Sequence, residues 1–581
     1  MEKFKQDSFQ NFGGINQKVS RYMTGEREAL VLENFDFTTP GAWTKAPGST
    51  FYTGATVTGR VTGLYEFERL SGFSQIIFTA NTNAYFLAGT VPTPFRSGLA
   101  SGAIFDFVTF TDLMFATNGS NTFKWDGTIS TNFSCPAGTP TLLSGTLGAT
   151  TPGFSGIFSY GVGYLTQYGF RSPVLFGATN STTGAHIALS GFTTPTGFGI
   201  TSILLYRTSP SGADYFQIGS VPAGSATFVD TGLPLSALIA PEAVFWTATP
   251  QFFEIYANRL FQGGFTNISG SSLTASSVVF SETGQPENIL QNNNFEVRTN
   301  DGDRVSALKA YQQSLYIFKE RSFHRLTGDS PQTFDINEIS DQYGCISNRA
   351  VAVYEDVLLF LDRKGVVEFN GAGTRVVSTP VEPIFLNMNV NAARQNAVAI
   401  HNRLRNEVWF GIPVNGSTLN NVTVIYDYYS KAWTTFKGFE PSSLSIIRGA
   451  LDAPTAFYGS YNGSIHFTGS TLTAHNGQPI VCKAQTQYFN LLGQSVTTQW
   501  RRLYTNTNVV PGGTMGVVFY NDADGSQTIA HTATISLDNF QSREEFGIPS
   551  KNLSIEYTFT SATFALTIEG LTIEGRMQRK V

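Results

Sequence analysis

Short runs of aromatic, aliphatic and β-branched residues recur along almost the whole chain, each stopped by a cluster of Gly, Asn, Asp or Pro. Ser74-Gln75-Ile76-Ile77-Phe78-Thr79, Leu315-Tyr316-Ile317-Phe318, Val357-Leu358-Leu359-Phe360-Leu361 and Val422-Thr423-Val424-Ile425-Tyr426 are examples. Each is long enough for a strand and too short for a helix of about 10–12 residues. Helical periodicity is scarce. The spacing predicts short helices only over Glu26–Leu32 and over Asn387–Ala397, which holds Ala392, Ala393 and Ala397. The pattern therefore predicts an all-β fold.

The runs also repeat as units. Trp125-Asp126-Gly127, Phe369-Asn370-Gly371 and Tyr461-Asn462-Gly463 each end a β-run at a turn, and Asp-Gly and Asn-Gly suit turn positions that need positive φ. Upstream of each lies another strand with its own turn, as at Asn118-Gly119 and Lys364-Gly365. A strand–turn–strand unit recurring about every 40–50 residues is the mark of a propeller blade. Between about 140 and 245 the grammar changes. Short, evenly spaced strands there, including Ile203–Thr208 and Asp214–Gly219, suit a small immunoglobulin- or fibronectin-like sandwich set between blades. From about Gln478 the strands lengthen, as in Leu553–Thr560. The expected organisation is an N-terminal segment (1–60), first blades (61–139), the insert (140–245), remaining blades (246–475) and a C-terminal β region (476–581).

Composition bounds the function. The chain has 581 residues, of which only 14% are charged, against about 25% in ordinary soluble proteins. No apolar run approaches the ~20 residues of a membrane-spanning helix. Gly (57) and Phe (49) are abundant instead. Sparse surface charge fits a subunit that covers much of its surface with neighbours. The 37 basic residues are outnumbered by 42 acidic ones, for a net charge of −5. That argues against a phosphate-gripping nucleic-acid binder. Basic clusters are limited to pieces such as Arg501-Arg502 and Arg576 to Lys580. Cys135, Cys345 and Cys482 are far apart, without a CxxC pair, which argues against disulfides and structural zinc. Met1 to Asp7 lacks the apolar core of a secretory signal, so assembly in a reducing cytoplasm is expected. Asn118 and Asn462, though in Asn-x-Ser triplets, then read as turns.

The ordered segments resemble the nozzle proteins of short-tailed bacteriophages, the group that includes tail tubular protein B and packaged-DNA stabilisation proteins. Asn11-Phe12-Gly13-Gly14-Ile15-Asn16, Glu28-Ala29, Asn34-Phe35-Asp36, Gly41 and Lys45-Ala46-Pro47-Gly48 resemble the N-terminal signature of that group. Val278 to Asn288 is similar to a strand-to-loop segment of the group. Ala310 through Tyr343-Gly344-Cys345 to Phe369-Asn370-Gly371 resembles its propeller core, and Tyr206-Arg207-Thr208 through Asp230 the fibronectin-like insert of some members. The resemblance covers most of residues 10–475 and weakens after that; the order of the motifs carries it.

It implies a virion structural protein and no enzyme: a homo-oligomeric ring, usually a hexamer, that closes the tail channel. Such a ring contacts a tail adaptor and tail fibre or spike proteins, and is assembled in the bacterial host cytoplasm. Genomic DNA would pass through it without sequence-specific binding, held back by narrowing or loop closure until ejection. The Gly- and Thr-rich propeller loops are the candidates for lining the bore.

The chemistry-bearing residues give no catalytic, cofactor-binding or metal-ligating set. His186, His324, His401, His466, His475 and His531 have no metal-ligand spacing. A Gly-x-Ser-x-Gly elbow and a phosphate loop are both absent. Asp301-Gly302-Asp303 and Asn521-Asp522-Ala523-Asp524-Gly525 are the best acidic clusters. The second lacks the Glu that an EF-hand needs and reads as an acidic turn. Paired carboxylates could still meet in space. The many aromatics could stack on sugars, so a host-surface carbohydrate-binding tail adhesin is the rival reading. An adhesin of that kind is expected as a trimer, a nozzle ring as a higher-order assembly.

Overall fold

The computed structural model describes residues 4–134, 136, 143–238, 240, 248–266, 268, 273–290, 292–299, 301–451, 453–493, 496–523 and 526–577. Among them are seven four-stranded antiparallel meanders, the repeat of a β-propeller. We number them as blades 1 to 7 and letter their strands A to D. Blades 1 and 2 are Val61–Arg96 and Asp106–Asn132; blades 3 to 6 are Phe252–Glu296, Val305–Ser340, Val351–Val376 and Val398–Phe436. Blade 7 takes strands A to C from Ser443–Gly469 and its fourth strand, Gly48–Phe51, from the N-terminal end of the chain. The recurrent strand–turn–strand unit of the sequence is thus a blade. Gly127, Gly371 and Gly463 of the three marked turns all have positive φ, at 93°, 88° and 86°.

Contacts divide the chain into two compact units. The first holds residues 1–66, 74–97 and 342–581, and so blade 1 apart from residues 67–73 around its A–B turn, and blades 5, 6 and 7 with the C-terminal region. The second holds residues 67–73 and 98–341, and so blades 2, 3 and 4 with the insert.

In the second unit, strand A of blade 3 touches strand A of both blades 2 and 4. Phe252, Phe261 and Phe280 of blade 3 share a core with Leu308, Leu315 and Ile317 of blade 4. Each such side chain contributes about 1.5–3 kcal/mol on burial. The insert is one continuous sheet of Leu143–Thr166, Leu175–Ser190, Ile200–Thr208, Tyr215–Pro222 and Thr227–Asp230. Register shifts in its long central hairpin interrupt the ladder at several places. One face buries Phe158, Tyr160, Val162, Leu189, Ile203 and Leu205. The Arg207–Asp230 pair locks it: Arg207 Nη1 donates to Asp230 Oδ2 at 2.6 Å, and Tyr160 OH donates to the same oxygen at 2.8 Å. The tip of the long hairpin carries Phe170, which packs into a cluster with Leu113 and Phe115 of blade 2 and Phe253 and Leu260 of blade 3.

In the first unit the C-terminal region is a two-layer sandwich completed by N-terminal strands. One sheet joins Thr498–Thr507, Gln541–Ser550 and Thr567–Met577 to Lys5–Gln10, Phe35–Asp36 and Trp43–Lys45. The other joins Gln478–Thr486, Thr514–Ala523, Ser526–Ser536 and Leu553–Ser561 to Ala29–Glu33. Their facing sides share a core that includes Phe9, Trp43, Trp500, Phe519 and Tyr557.

Of the two predicted helices, Val390–Asn396 forms, capped by the Asn389 side chain at Ala392 N. The other does not. Ala29–Glu33 is a strand paired with Gln478–Thr486, because tertiary pairing with a distant strand overrides a short local periodicity.

Candidate functional site

The residues of the N-terminal resemblance converge on a joint within the first unit. Phe12 stacks on Trp43 at 4.2 Å, and Trp43 Nε1 donates to Gly13 O at 2.9 Å. A side chain on Gly14 would meet Trp433 N at 2.5 Å, and one on Gly48 would meet Ala474 O at 2.2 Å, so only glycine fits either place. Asn34 Nδ2 donates to Val481 O, and Asn34 Oδ1 accepts from Lys437 N, both at 2.8 Å. Asp36 and Glu407 both bond to Arg405, and Trp409 Nε1 donates to Glu407 at 2.7 Å. Burial, with Asp36 nearby, pushes Glu407 up to about 7 against the pull of Arg405. These groups knit blade 6, blade 7 and the sandwich together; Asp36 is 1% exposed and Glu407 2%, too deep to meet a substrate.

The other chemistry-bearing residues are tied to structural partners. Ser49 Oγ lies 3.0 Å from His475 Nδ1, but Ser49 is 1% exposed and shares its hydroxyl with Tyr458 OH. Burial, with Lys45 and His466 close by, pushes His475 down to about 4. His466 lies between Ser464 Oγ and Asn476 Oδ1, His401 against Tyr428 OH and His186 against Thr151 Oγ1. His324 faces Glu338, and His531 faces Glu544. Asp301 clamps the buried Lys319 Nζ at 2.7 and 2.8 Å, while Asp303 accepts from the amides of Arg304, Glu320 and Arg321. Asp522 lies 3.6 Å from Arg21; Asp524, Gly525, Cys135 and residues 578–580 lie outside the described residues. Burial pushes the Cys345 and Cys482 thiols up to about 12, which makes them inert. Among the described residues no group of three His, Cys, Asp or Glu could hold a metal ion, and no helix is long and apolar enough to cross a membrane.

What faces outward with defined chemistry is one face of the second unit, formed by its A–B and C–D turns. Strands A and B of blades 2, 3 and 4 are joined by two-residue turns, Thr111-Asp112, Ala257-Asn258 and Gln312-Gln313. All six residues have positive φ, between 45° and 61°. Such turns favour Gly, Asn or Asp, since other side chains cost roughly 1–2 kcal/mol per residue there. Thr111, Gln312 and Gln313 therefore hold exposed side chains in place at a local cost.

Two hollows open on this face. One, of about 540 Å³, is lined by Arg69, Asp112, Asp126, Tyr168, Gln285 and their neighbours. Hydrogen bonds tie its walls together. Leu70 N donates to Asp112 Oδ1 at 2.8 Å, Thr128 N and Ile129 N donate to Asp126 Oδ1, and Tyr168 OH donates to Asp126 Oδ2 at 3.1 Å. Burial pushes Asp126 up, but those bonds together hold it below the usual carboxylate range. Behind this wall Lys124 and Glu287, both fully buried, pair at 2.7 Å, and Glu287 also accepts from Ser134 N. The second hollow, of about 730 Å³, lies between the A–B turns of blades 3 and 4. Tyr256 OH donates there to Gly328 O at 2.6 Å and to Gln313 O at 3.1 Å. The first unit has a smaller apolar hollow of about 230 Å³, lined by Ile15, Val31, Ile384 and Val414 with the Lys437–Glu33 pair at its edge.

Sequence reasoning placed Asp126 in a turn and Gln285 in the Val278–Asn288 resemblance, and passed over Arg69 and Asp112. These positions lie up to 216 residues apart, from Arg69 to Gln285, and no spacing rule joins them. The available signal was weaker: Thr111-Asp112 and Gln312-Gln313 sit between strand runs without the glycine that a two-residue turn prefers.

No protein-family model and no curated protein matches the chain. Solved structures that it resembles include BBS1N in complex with ARL6DN, at 7% identity over 73% of this chain and 95% of that one, with a TM-score of 0.30. The Pan2 WD40 domain of Neurospora crassa matches at 8% identity over 73% of this chain and 94% of that one, TM-score 0.27. The exo-β-1,3-galactanase of Phanerochaete chrysosporium, with galactose, matches at 8% over 66% and 98%, TM-score 0.19. At these scores the likenesses carry no argument about function, and the blade architecture rests on the strand order of the chain.

Proposed function

We propose that this protein is a structural component of a short bacteriophage tail, a nozzle subunit without catalytic activity that works as a homomeric ring, most simply a hexamer. One observation carries the reading. The segments that resemble the nozzle group, from Asn11 to Gly48, are the residues that lock N-terminal strands into the last blades and the C-terminal sandwich. A signature made of joints rather than of an open cleft is what a mechanical part requires. Head-to-tail contacts between identical subunits close into rings when the rotation permits. Low surface charge favours wide contacts. With 42 acidic against 37 basic residues, DNA would pass without the phosphate neutralisation that tight binding needs. In this reading the ring sits in the virion tail, between adaptor and fibre or spike proteins, and narrowing of its bore retains the genome until ejection.

The test is electron microscopy of purified tails together with the mass of the isolated assembly. A closed ring of six copies is expected; a protein that is only monomeric or trimeric in mature particles would sink the reading. A second reading, the host-surface carbohydrate-binding adhesin, is favoured by the turn face of the second unit, with its tyrosines and amides around a 730 Å³ hollow. A trimer with this face outermost would favour it.

A further inference from the structure

The 540 Å³ hollow of the second unit holds a cation with nothing to bind. Arg69 lies with its guanidinium over the rings of Phe67 and Phe73, at 5.5 and 4.9 Å from their centroids. Among the described residues it makes no side-chain hydrogen bond and no ion pair, and its Nε is shut off from solvent without a partner. Gln285 Oε1, on the lining of the same hollow, is likewise buried and unpartnered. The Arg69 Nη atoms have no hydrogen-bond partner among the described residues, so on the lining of a hollow they are free to take an anionic ligand. A guanidinium stacked on aromatic rings keeps its planar edge for a carboxylate or phosphate.

The rest of the lining chooses between those anions. Asp112 spends Oδ1 on Leu70 N, and its Oδ2 accepts from no donor among the described residues. Asp126 is a second carboxylate in the wall. Two carboxylates would repel a doubly charged phosphate, but they accept readily from hydroxyl groups. Tyr168, part-exposed on the lining, adds aromatic surface of the kind that packs on the apolar face of a sugar ring. The volume lies within the ~300–1,000 Å³ of small-ligand sites. We propose that this hollow is a binding site for an acidic sugar, with the ring carboxylate on Arg69, ring hydroxyls on Asp112 and Gln285, and the ring face against Tyr168. The site is complete within the second unit, so it stands whether or not the chain assembles as a ring.

The experiment titrates the full-length protein with tetragalacturonate, with a neutral glucose tetramer and with tetraglutamate, read by calorimetry and saturation-transfer NMR. Tetragalacturonate is expected to bind, the other two weakly or not at all. Arg69→Gln should weaken that binding about tenfold or more, the loss of a charge-assisted bidentate contact. Ser71→Trp, from an exposed turn at the edge of the hollow, should block it while leaving the fold intact by circular dichroism. If Arg69→Gln does not fold, Ser71→Trp alone decides. Failure of tetragalacturonate to bind overturns the proposal. So does equal binding of the neutral tetramer or of tetraglutamate, or wild-type affinity in either folded variant.

Discussion

The two units put similar blades to different uses. The first unit has 26 basic and 24 acidic residues, the second 11 and 18, so one is close to neutral while the other carries a net charge of −7. In the first unit the strands Lys5–Gln10 and Thr567–Met577 pair within the sandwich, and unusual residues are internal: Gly14 and Gly48 under backbone, and Arg405 between two carboxylates. The second unit has buried pairs of its own, Arg207–Asp230 and Lys124–Glu287, and adds unusual residues at the surface: side chains held at positive φ on three successive turns, around hollows with an unspent guanidinium. The first unit spends its special residues on cohesion, and the second also displays some of its own. The difference teaches that the segment with the N-terminal resemblance serves as scaffold, while the open hollows lie on the turns of the other unit.

Breaking the joint should have the largest effect. Arg405→Ala leaves Asp36 and Glu407 buried beside each other without their cation, and is expected to cost about 3–5 kcal/mol of stability in denaturant unfolding. A loss below about 1 kcal/mol would show that the joint is held by apolar packing alone.

Acid should loosen the same unit. His475 titrates near 4 in the folded protein, held down by burial and by Lys45 and His466, against about 6.5 when unfolded. The unfolded chain therefore binds the proton first. The stability from neutral His475 is complete above pH 6.5 and is lost as pH falls toward 4, by up to about 3 kcal/mol. Glu407, held up at about 7, acts in the opposite sense, its contribution falling as pH rises from 4.5 to 7. The wild-type stability curve minus that of His475→Asn isolates the histidine; a difference that stays flat between pH 6.5 and 4 would refute the assignment.

The smallest effect belongs to the displayed turns. Thr111 is β-branched at φ 48°, so Thr111→Gly should relieve strain and raise stability by about 0.5–1 kcal/mol after the extra entropy of an unfolded glycine. Destabilisation on thermal melting would mean that the threonine side chain makes a structural contact, and the contrast between the units would weaken.

Much of the architecture was legible in the residues. Strand-length runs and turn glycines repeat locally, so the blades could be read from neighbours in sequence. First strands begin at Val61, Asp106, Phe252, Val305, Val351, Val398 and Ser443, close to the predicted period on either side of the insert. Arg207 and Asp230, which carried part of the resemblance, proved to be the buried lock of that insert. Glu26–Leu32 misled because its apolar spacing fits a helix turn, while pairing with Gln478–Thr486 decides its conformation.

Local chemistry along the chain was enough for the all-β class, the blade period and the places where turns fall, because those depend on residues within a few positions of one another. Tertiary structure alone decided that Gly48–Phe51 completes blade 7, that Ala29–Glu33 is a strand, and that Arg69, Asp112, Asp126, Tyr168 and Gln285 meet around one hollow. Those outcomes depend on which distant strands pair and which turns share a face. Hydrogen-bond registry and core packing set both, and neither leaves a spacing in the sequence to be read.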